Sequence, residues 1–178
     1  MRLRRRRTLT RLETIEATLT LELDIIVEAP LWHDVDLSHI ATPAVDRIAA
    51  HFDLPQAEAC LLACNDARIA ELNHAFRGKA SATNVLSWPS SVPSGPPPAW
   101  PEPDAFGVIQ LGDIALAYET CRREAEAAGL PLEAHLAHLI VHAVLHLLGY
   151  DHENDGDAAL MEALETELLG KMGISDPY

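Results

Sequence analysis

The sequence predicts an α+β fold, with helices packed on a small mixed β-sheet in a single domain. Three observations lead there. Strand-like and helix-like segments mix without a regular βαβ rhythm, helical patterning takes over after residue 117, and no internal repeat is present. With 178 residues, 48% apolar and only 5% aromatic, the chain has the size and composition of one ordinary buried core.

Each element has its own signal. The run "TLTLELDIIVEA" (18–29) alternates apolar and polar residues and reads as a first strand. "TPAVDRIAAHF" (42–52) reads as a helix, with Thr42 as N-cap and Pro43 at the first helical position. "EACLLACN" (58–65) is a strand that places Cys60 and Cys64 on one side, as buried small apolar groups. "DARIAELNHAFR" (66–77) is an amphipathic helix opened by Asp66. "TNVLSWP" (83–89) is a short strand stopped by Pro89, and "SSVPSGPPPAWPEP" (90–103) is a surface loop too rich in proline for regular structure. "FGVIQLGDIALA" (106–117) resumes extended structure with an irregularity at Gly112. Three helices follow: 117–129, 130–149 begun by Pro131, and 157–173.

Charge and cysteine content limit the functional classes. A net charge of −14 argues against a general nucleic-acid coat protein. Six of the 13 basic residues lie in "MRLRRRRTLTR", which leaves 7 basic against 27 acidic residues beyond it. Residues 1–18 are expected to be a disordered basic tail ahead of a domain at 19–178; a basic arm, a presequence and an upstream start all fit that tail. Three cysteines cannot close a disulfide set, and with no secretory signal ahead of them the expectation is a cytoplasmic setting. No apolar stretch reaches the ~18 residues of a membrane span, so no membrane partner is expected.

The chemistry concentrates in "HAVLHLLGYDH" (142–152). On a helix His142 and His146 lie one above the other, ~6 Å apart along the axis. A continued helix would carry His152 ~15 Å from His142 and round to another side. Gly149 removes that obstacle, because glycine ends a helix easily in the left-handed conformation. The spacing is that of the metzincin zinc peptidases. Three neutral imidazoles hold one transition metal and leave a position open, with zinc the first choice and nickel, cobalt or copper also suited. A zinc peptidase carries its general-base glutamate directly after the first histidine, where this chain has Ala143. Peptide hydrolysis by that route is therefore disfavoured. Phosphodiester cleavage, which needs a metal and a cation for developing charge, fits better.

The sequence resembles the YbeY family of rRNA-maturation endoribonucleases. The resemblance lies in "ELNHAFRGKASATNVLSWP" (71–89), "LGDIALA" (111–117), "HLIVHAVLHLLGYDH" (138–152) and the ending "MEALETELLGKMGISDPY", and it covers roughly residues 20–178. It implies a single-strand-specific, metal-dependent endoribonuclease acting in rRNA processing, at the 3′ end of the small-subunit rRNA, and in ribosome quality control. It implies metal-ligand roles for His142, His146 and His152, with His142 in the catalytic centre, and a catalytic, phosphate-binding role for Arg77. The family usually has glycine where Ala143 stands; alanine stays small, so metal access is expected to survive. It also has Asp and Pro within "RGKDxPTNVLSFP", where this chain reads "RGKASATNVLSWP", and phenylalanine where Trp88 stands.

Other residues have competing readings. Arg77 at a helix end also suits the helix dipole. Lys79 is a solvated neighbour that can add a phosphate contact, and Asn84 and Thr83 either bridge strands or bind substrate. His138, one turn before His142, is assigned to substrate contact or to support of the ligands; His135 is expected to be exposed. Asp151 either orients a ligand imidazole or shapes the turn, and Asp113 is equally open. The acidic body suits a nuclease placed on the ribosome by small-subunit proteins better than a free-ranging one. A metal hydrolase of peptides or small molecules, and a non-catalytic ribosome-binding factor with a structural metal, are the competing functions.

Overall fold

A computed structural model describes residues 20–92 and 95–178; the basic tail at 1–18 lies outside the described residues. Four strands form one sheet in the order β1 (Leu21–Val27), β2 (Ala57–Cys64), β4 (Ile109–Ala117), β3 (Val85–Pro89). The first two junctions are parallel and β3 pairs antiparallel to β4, so the sheet is mixed as expected. Helices α1 (Leu37–His51), α2 (Asp66–Arg77), α3 (Tyr118–Ala128), α4 (Leu132–Leu147) and α5 (Asp155–Gly170) complete the α+β domain.

Side-chain alternation along β2 assigns the two faces. Ala57, Ala59, Leu61 and Ala63 point into the main core with α1, α4 and α5. Leu62 and Cys64 point the other way, into a smaller cluster with Ile69 of α2 and Leu86 of β3. Cys60 and Cys64 thus share one side, although only Cys64 is buried. Helix α4 is the centre of the main core: Leu136, Ile140, Val141, Ala143, Val144 and Leu145 are all completely or almost completely buried. Each of the Leu, Ile and Val side chains contributes roughly 1.5–3 kcal/mol of burial. The histidines at 138, 142 and 146 occupy the one stripe of α4 that is only partly covered.

Two helix starts differ from the sequence reading. Helix α1 begins at Leu37, with the Asp36 carboxylate accepting from the His39 N–H at 3.0 Å, and Pro43 lies inside it. The buried stripe Leu37, Ile40, Ala41, Ala44, Val45 and Ile48 runs straight through the proline. Pro43 and His39 are both on the solvent side, where water can reach the carbonyl that proline leaves without a donor. For α2 the N-cap is Asn65, whose Oδ1 accepts from the Arg68 N–H at 2.8 Å. Asp66 instead accepts from the Thr120 N–H and hydroxyl, tying α2 to α3.

The sequence reading also missed a short 3₁₀ turn at Pro30–Asp34. Its Trp32 is buried and donates Nε1–H to the Cys64 carbonyl at 2.7 Å. Gly112 is the expected irregularity. The β2–β4 register shifts beside it, its φ is +136°, and a methyl there would collide with the Trp88 carbonyl oxygen. In the proline-rich loop the Ala99 N–H donates to the Leu148 carbonyl at 2.8 Å, so this loop lies over the end of α4. No single helix among the described residues is long and apolar enough to cross a membrane.

Candidate metal centre

The centre is built at the end of α4. Gly149 has φ +87°, its N–H donates to the His146 carbonyl, and the Tyr150 N–H donates to Leu145. This pair of bonds closes the helix and turns the chain back. The turn brings His152 to 5.5 Å from His142 and 5.1 Å from His146, ring centre to ring centre. The three residues offer nitrogens that all lie within 4.8 Å of one another.

Hydrogen bonds define which nitrogens face the centre. His142 Nδ1 meets the Glu165 carboxylate at 2.8 Å, and His146 Nδ1 meets the Tyr150 carbonyl at 2.9 Å. Both partners only accept, so both Nδ1 atoms carry the hydrogens. The two Nε2 atoms then present lone pairs to each other at 3.1 Å. A neutral pair cannot hydrogen-bond there, and the two lone pairs are placed to share a cation. A proton is disfavoured, since burial and the neighbouring His142 push His146 down to about 4. A transition metal, taking neutral imidazole, fits this donor set.

Glu165 is the main residue the sequence reading missed. It lies on α5 with no solvent exposure and accepts from His138 Nε2 at 2.6 Å, His142 Nδ1 at 2.8 Å and the Tyr178 hydroxyl at 2.6 Å. Burial alone would raise its carboxyl, but these three donors outweigh it and hold the group at about 2. An ionised carboxylate behind a ligand imidazole fixes the ring's tautomer and direction. A glutamate between helical neighbours, 23 residues from His142, gave only the signal of an acidic residue on an otherwise apolar stripe.

An open cleft of about 740 Å³ lies in front of the histidines, walled by β3 and the turn after α4. His142, His146 and His152 line it together with Arg77 and Lys79, so the three histidines and both cations assigned to phosphate share one cavity. His138 is not among the residues lining the cleft; its Nε2 meets Glu165 behind His142, which favours support of the ligands among its two readings. Ala143 does not line it either. It is wholly buried in the core, so its small size serves packing rather than access to the metal. Asp151 accepts from the His152 N–H at 2.7 Å and shapes the turn, while Glu165 and the Tyr150 carbonyl orient the rings.

Arg77 is the last residue of α2, and Gly78 follows in the left-handed conformation at φ +68°. The buried Asn73, also missed, donates Nδ2–H to the Ser81 carbonyl at 2.8 Å and folds the loop that carries Lys79. Asn84 is a bridge. Its Oδ1 accepts from the Val85 N–H and its Nδ2 donates to Glu124, so both ends are occupied. Glu124 also meets His135, which is only 12% exposed rather than free at the surface. Asp113 lines a separate hollow with Glu58 and Asp24, away from the histidines.

The fold and the site together define an α+β domain with a three-histidine cluster compatible with a metal ion, in an open cleft. The chain belongs to the Endoribonuclease YbeY family, whose model matches residues 30–173, and the resemblance read from the motifs is borne out. It is 53% identical over 163 residues to the Endoribonuclease YbeY of Ruegeria pomeroyi, covering 88% of this chain and 97% of that one. It is 49% identical over 157 residues to that of Paracoccus denitrificans, covering 88% and 89%. The solution structure of TM1509 from Thermotoga maritima shares the fold, with TM-score 0.51 and 21% identity over 88% of this chain and 98% of that one.

Two consequences are measurable. Gly149→Val is expected to weaken metal binding at least tenfold, although residue 149 is no ligand. A β-branched residue at φ +87° is strained by about 1–3 kcal/mol, and relief of that strain moves His152. Competition with a chromophoric chelator checks this, and unchanged affinity would show that the glycine is not the pivot.

The second concerns pH. In the metal-free protein His146 titrates near 4 rather than its ordinary 6.5, so between these values the unfolded chain binds a proton that the folded one refuses. Stability present above about pH 6.5 is therefore lost as pH falls towards 4, by on the order of 3 kcal/mol at most. Urea midpoints across this range should slope more steeply in wild type than in His146→Ala; equal slopes would remove the effect.

Proposed function

We propose that the protein is a zinc-dependent endoribonuclease that cuts single-stranded RNA, with the 3′ region of small-subunit rRNA as its substrate. The observation that carries this is the pair of opposed Nε2 lone pairs, in a cleft shared with Arg77, in a chain of the YbeY family. The domain at 19–178 supplies the whole site. His142, His146 and His152 would hold the ion. When bound, it supplies a Lewis acid that polarises a phosphoryl oxygen or activates water.

The chain's own residues do the rest. Glu165 and the Tyr150 carbonyl keep the two imidazoles neutral and aimed into the cleft. Arg77, exposed at the end of α2, directs a fork of donors at the phosphate and meets negative charge as it develops. Lys79 adds a point charge to the same cleft. Asp151 and Glu153 also line the cleft and repel a polyanion, and the net charge is −14. Such an enzyme depends on placement, so we assign it cytoplasmic ribosomes and small-subunit proteins as partners.

The test compares zinc-loaded wild type, EDTA-treated protein and His142→Ala on labelled single-stranded RNA, duplex RNA and casein. Cleavage of single-stranded RNA by the loaded wild type alone is the expected result. Casein cleavage would replace this reading with a peptidase. Zinc binding without any cleavage would make the centre structural.

A further inference from the structure

Beyond the end of α5 the chain doubles back along the same helix. Gly173 turns at φ +75°, the Ile174 N–H donates to the Leu169 carbonyl, and Ile174 packs on the main core. Asp176 Oδ1 then accepts from the Thr166 hydroxyl at 3.2 Å and from the Tyr178 N–H at 3.0 Å. This hook delivers Tyr178 to the back of the metal centre. There its hydroxyl donates to Glu165 Oε2 at 2.6 Å, and its ring stands edge-on to His138.

The exposure of these two partners is opposite. Glu165 has no solvent contact, whereas Tyr178 is 61% exposed. A ring left that open adds little to the core. What the position contributes is the hydroxyl, the one part that reaches a buried group.

Glu165 divides its two oxygens: Oε1 takes His142, while Oε2 is shared by His138 and Tyr178. We propose that Tyr178 is a positioning residue for the metal centre, locking Glu165 in the one orientation in which His142 keeps its hydrogen on Nδ1 and its Nε2 lone pair in the cleft. The proposal rests on the reading of His142 as a ligand. With the hydroxyl removed, Oε2 retains His138 alone, and the carboxylate is held by two imidazoles instead of three donors, so its plane is less tightly fixed. His142 then exchanges tautomers, and one of the two forms carries a hydrogen where the metal must bind. Loss of such outer support typically costs 10–100-fold in metal affinity.

The experiment uses Tyr178→Phe in the whole 178-residue chain, which keeps the ring, and Asp176→Ala, which loosens the hook without touching Glu165. Long-range proton–nitrogen spectra of the metal-free proteins at about pH 8 report the His142 tautomer, and zinc affinity is read by chelator competition. The expected result is a single Nδ1–H form in wild type, mixed forms in Tyr178→Phe with roughly tenfold weaker zinc binding, and a smaller change of the same sign in Asp176→Ala. An unchanged tautomer with zinc affinity within about twofold of wild type in Tyr178→Phe, the size of change a mere packing role allows, would overturn the proposal. If wild type itself binds no zinc, the ligand reading fails, and the tautomer comparison still decides whether Tyr178 controls His142.

Discussion

Replacing His146 by alanine is expected to abolish stoichiometric metal binding while leaving the metal-free fold nearly as stable as wild type. The two effects have separate origins. His146 supplies one of two opposed Nε2 atoms, and two remaining imidazoles rarely hold zinc against competing buffer. Without metal, the wild-type residue brings both a loss and a gain. Its Nδ1 bond to the Tyr150 carbonyl is worth about 1 kcal/mol, but the opposition of its Nε2 lone pair to that of His142 works against it. Alanine is also the best helix former. The metal-free stabilities should therefore agree within about 1 kcal/mol. Zinc at about 1,000 times its Kd should raise wild-type stability by about 4 kcal/mol and leave the variant unmoved. Zinc content by atomic emission and denaturation with and without zinc are the measurements. One zinc per chain in a folded His146→Ala protein would remove this residue from the centre.

Arg77→Ala is expected to keep the fold and the metal and to lose most RNA cleavage. The residue is exposed at the end of α2, so truncation costs no more than the dipole contribution of about 0.3–1 kcal/mol. Its place in the histidine-lined cleft makes the catalytic cost much larger, on the order of 10²–10³-fold. The loss should fall on kcat, because the guanidinium is worth most as charge grows on the phosphoryl oxygens; a contact that only anchored the substrate would raise KM alone. Arg77→Lys should recover little, since an ammonium cannot reproduce two parallel hydrogen bonds. Turnover of labelled single-stranded RNA, at matched zinc content, gives the answer. Wild-type kcat in Arg77→Ala would return the arginine to helix capping.

What the sequence made legible was local. The spacing of His142, His146, Gly149 and His152 lies within eleven residues, and a helix, a left-handed glycine and a turn suffice to convert it into geometry. Arg77 at a helix end, the mixed sheet and the Gly112 irregularity were readable for the same reason. Contacts between distant segments were not. Glu165 reaches His142 across two helices and Tyr178 returns from beyond α5, and neither pairing leaves a periodic trace. Thr42 and Pro43 have the chemistry of a helix start, yet burial of Leu37 and Ile40 extends α1 past them. Ala143 was weighed for the base it lacks, whereas its side chain belongs to the core.

Under the proposed function, the unequal footing of the three histidines would govern how the centre exchanges its ion. His142 and His146 stand on a helix buried on nearly all sides, and separating them requires opening the core itself, at close to the full free energy of unfolding. His152 is exposed on a turn tied down by Asp151, and local fraying can swing it away at far smaller cost. An ion held there would therefore enter and leave from the His152 side. The off-rate would belong to a surface turn even though the resting geometry belongs to the interior, and changes near residues 150–153 would alter residence time before they alter shape.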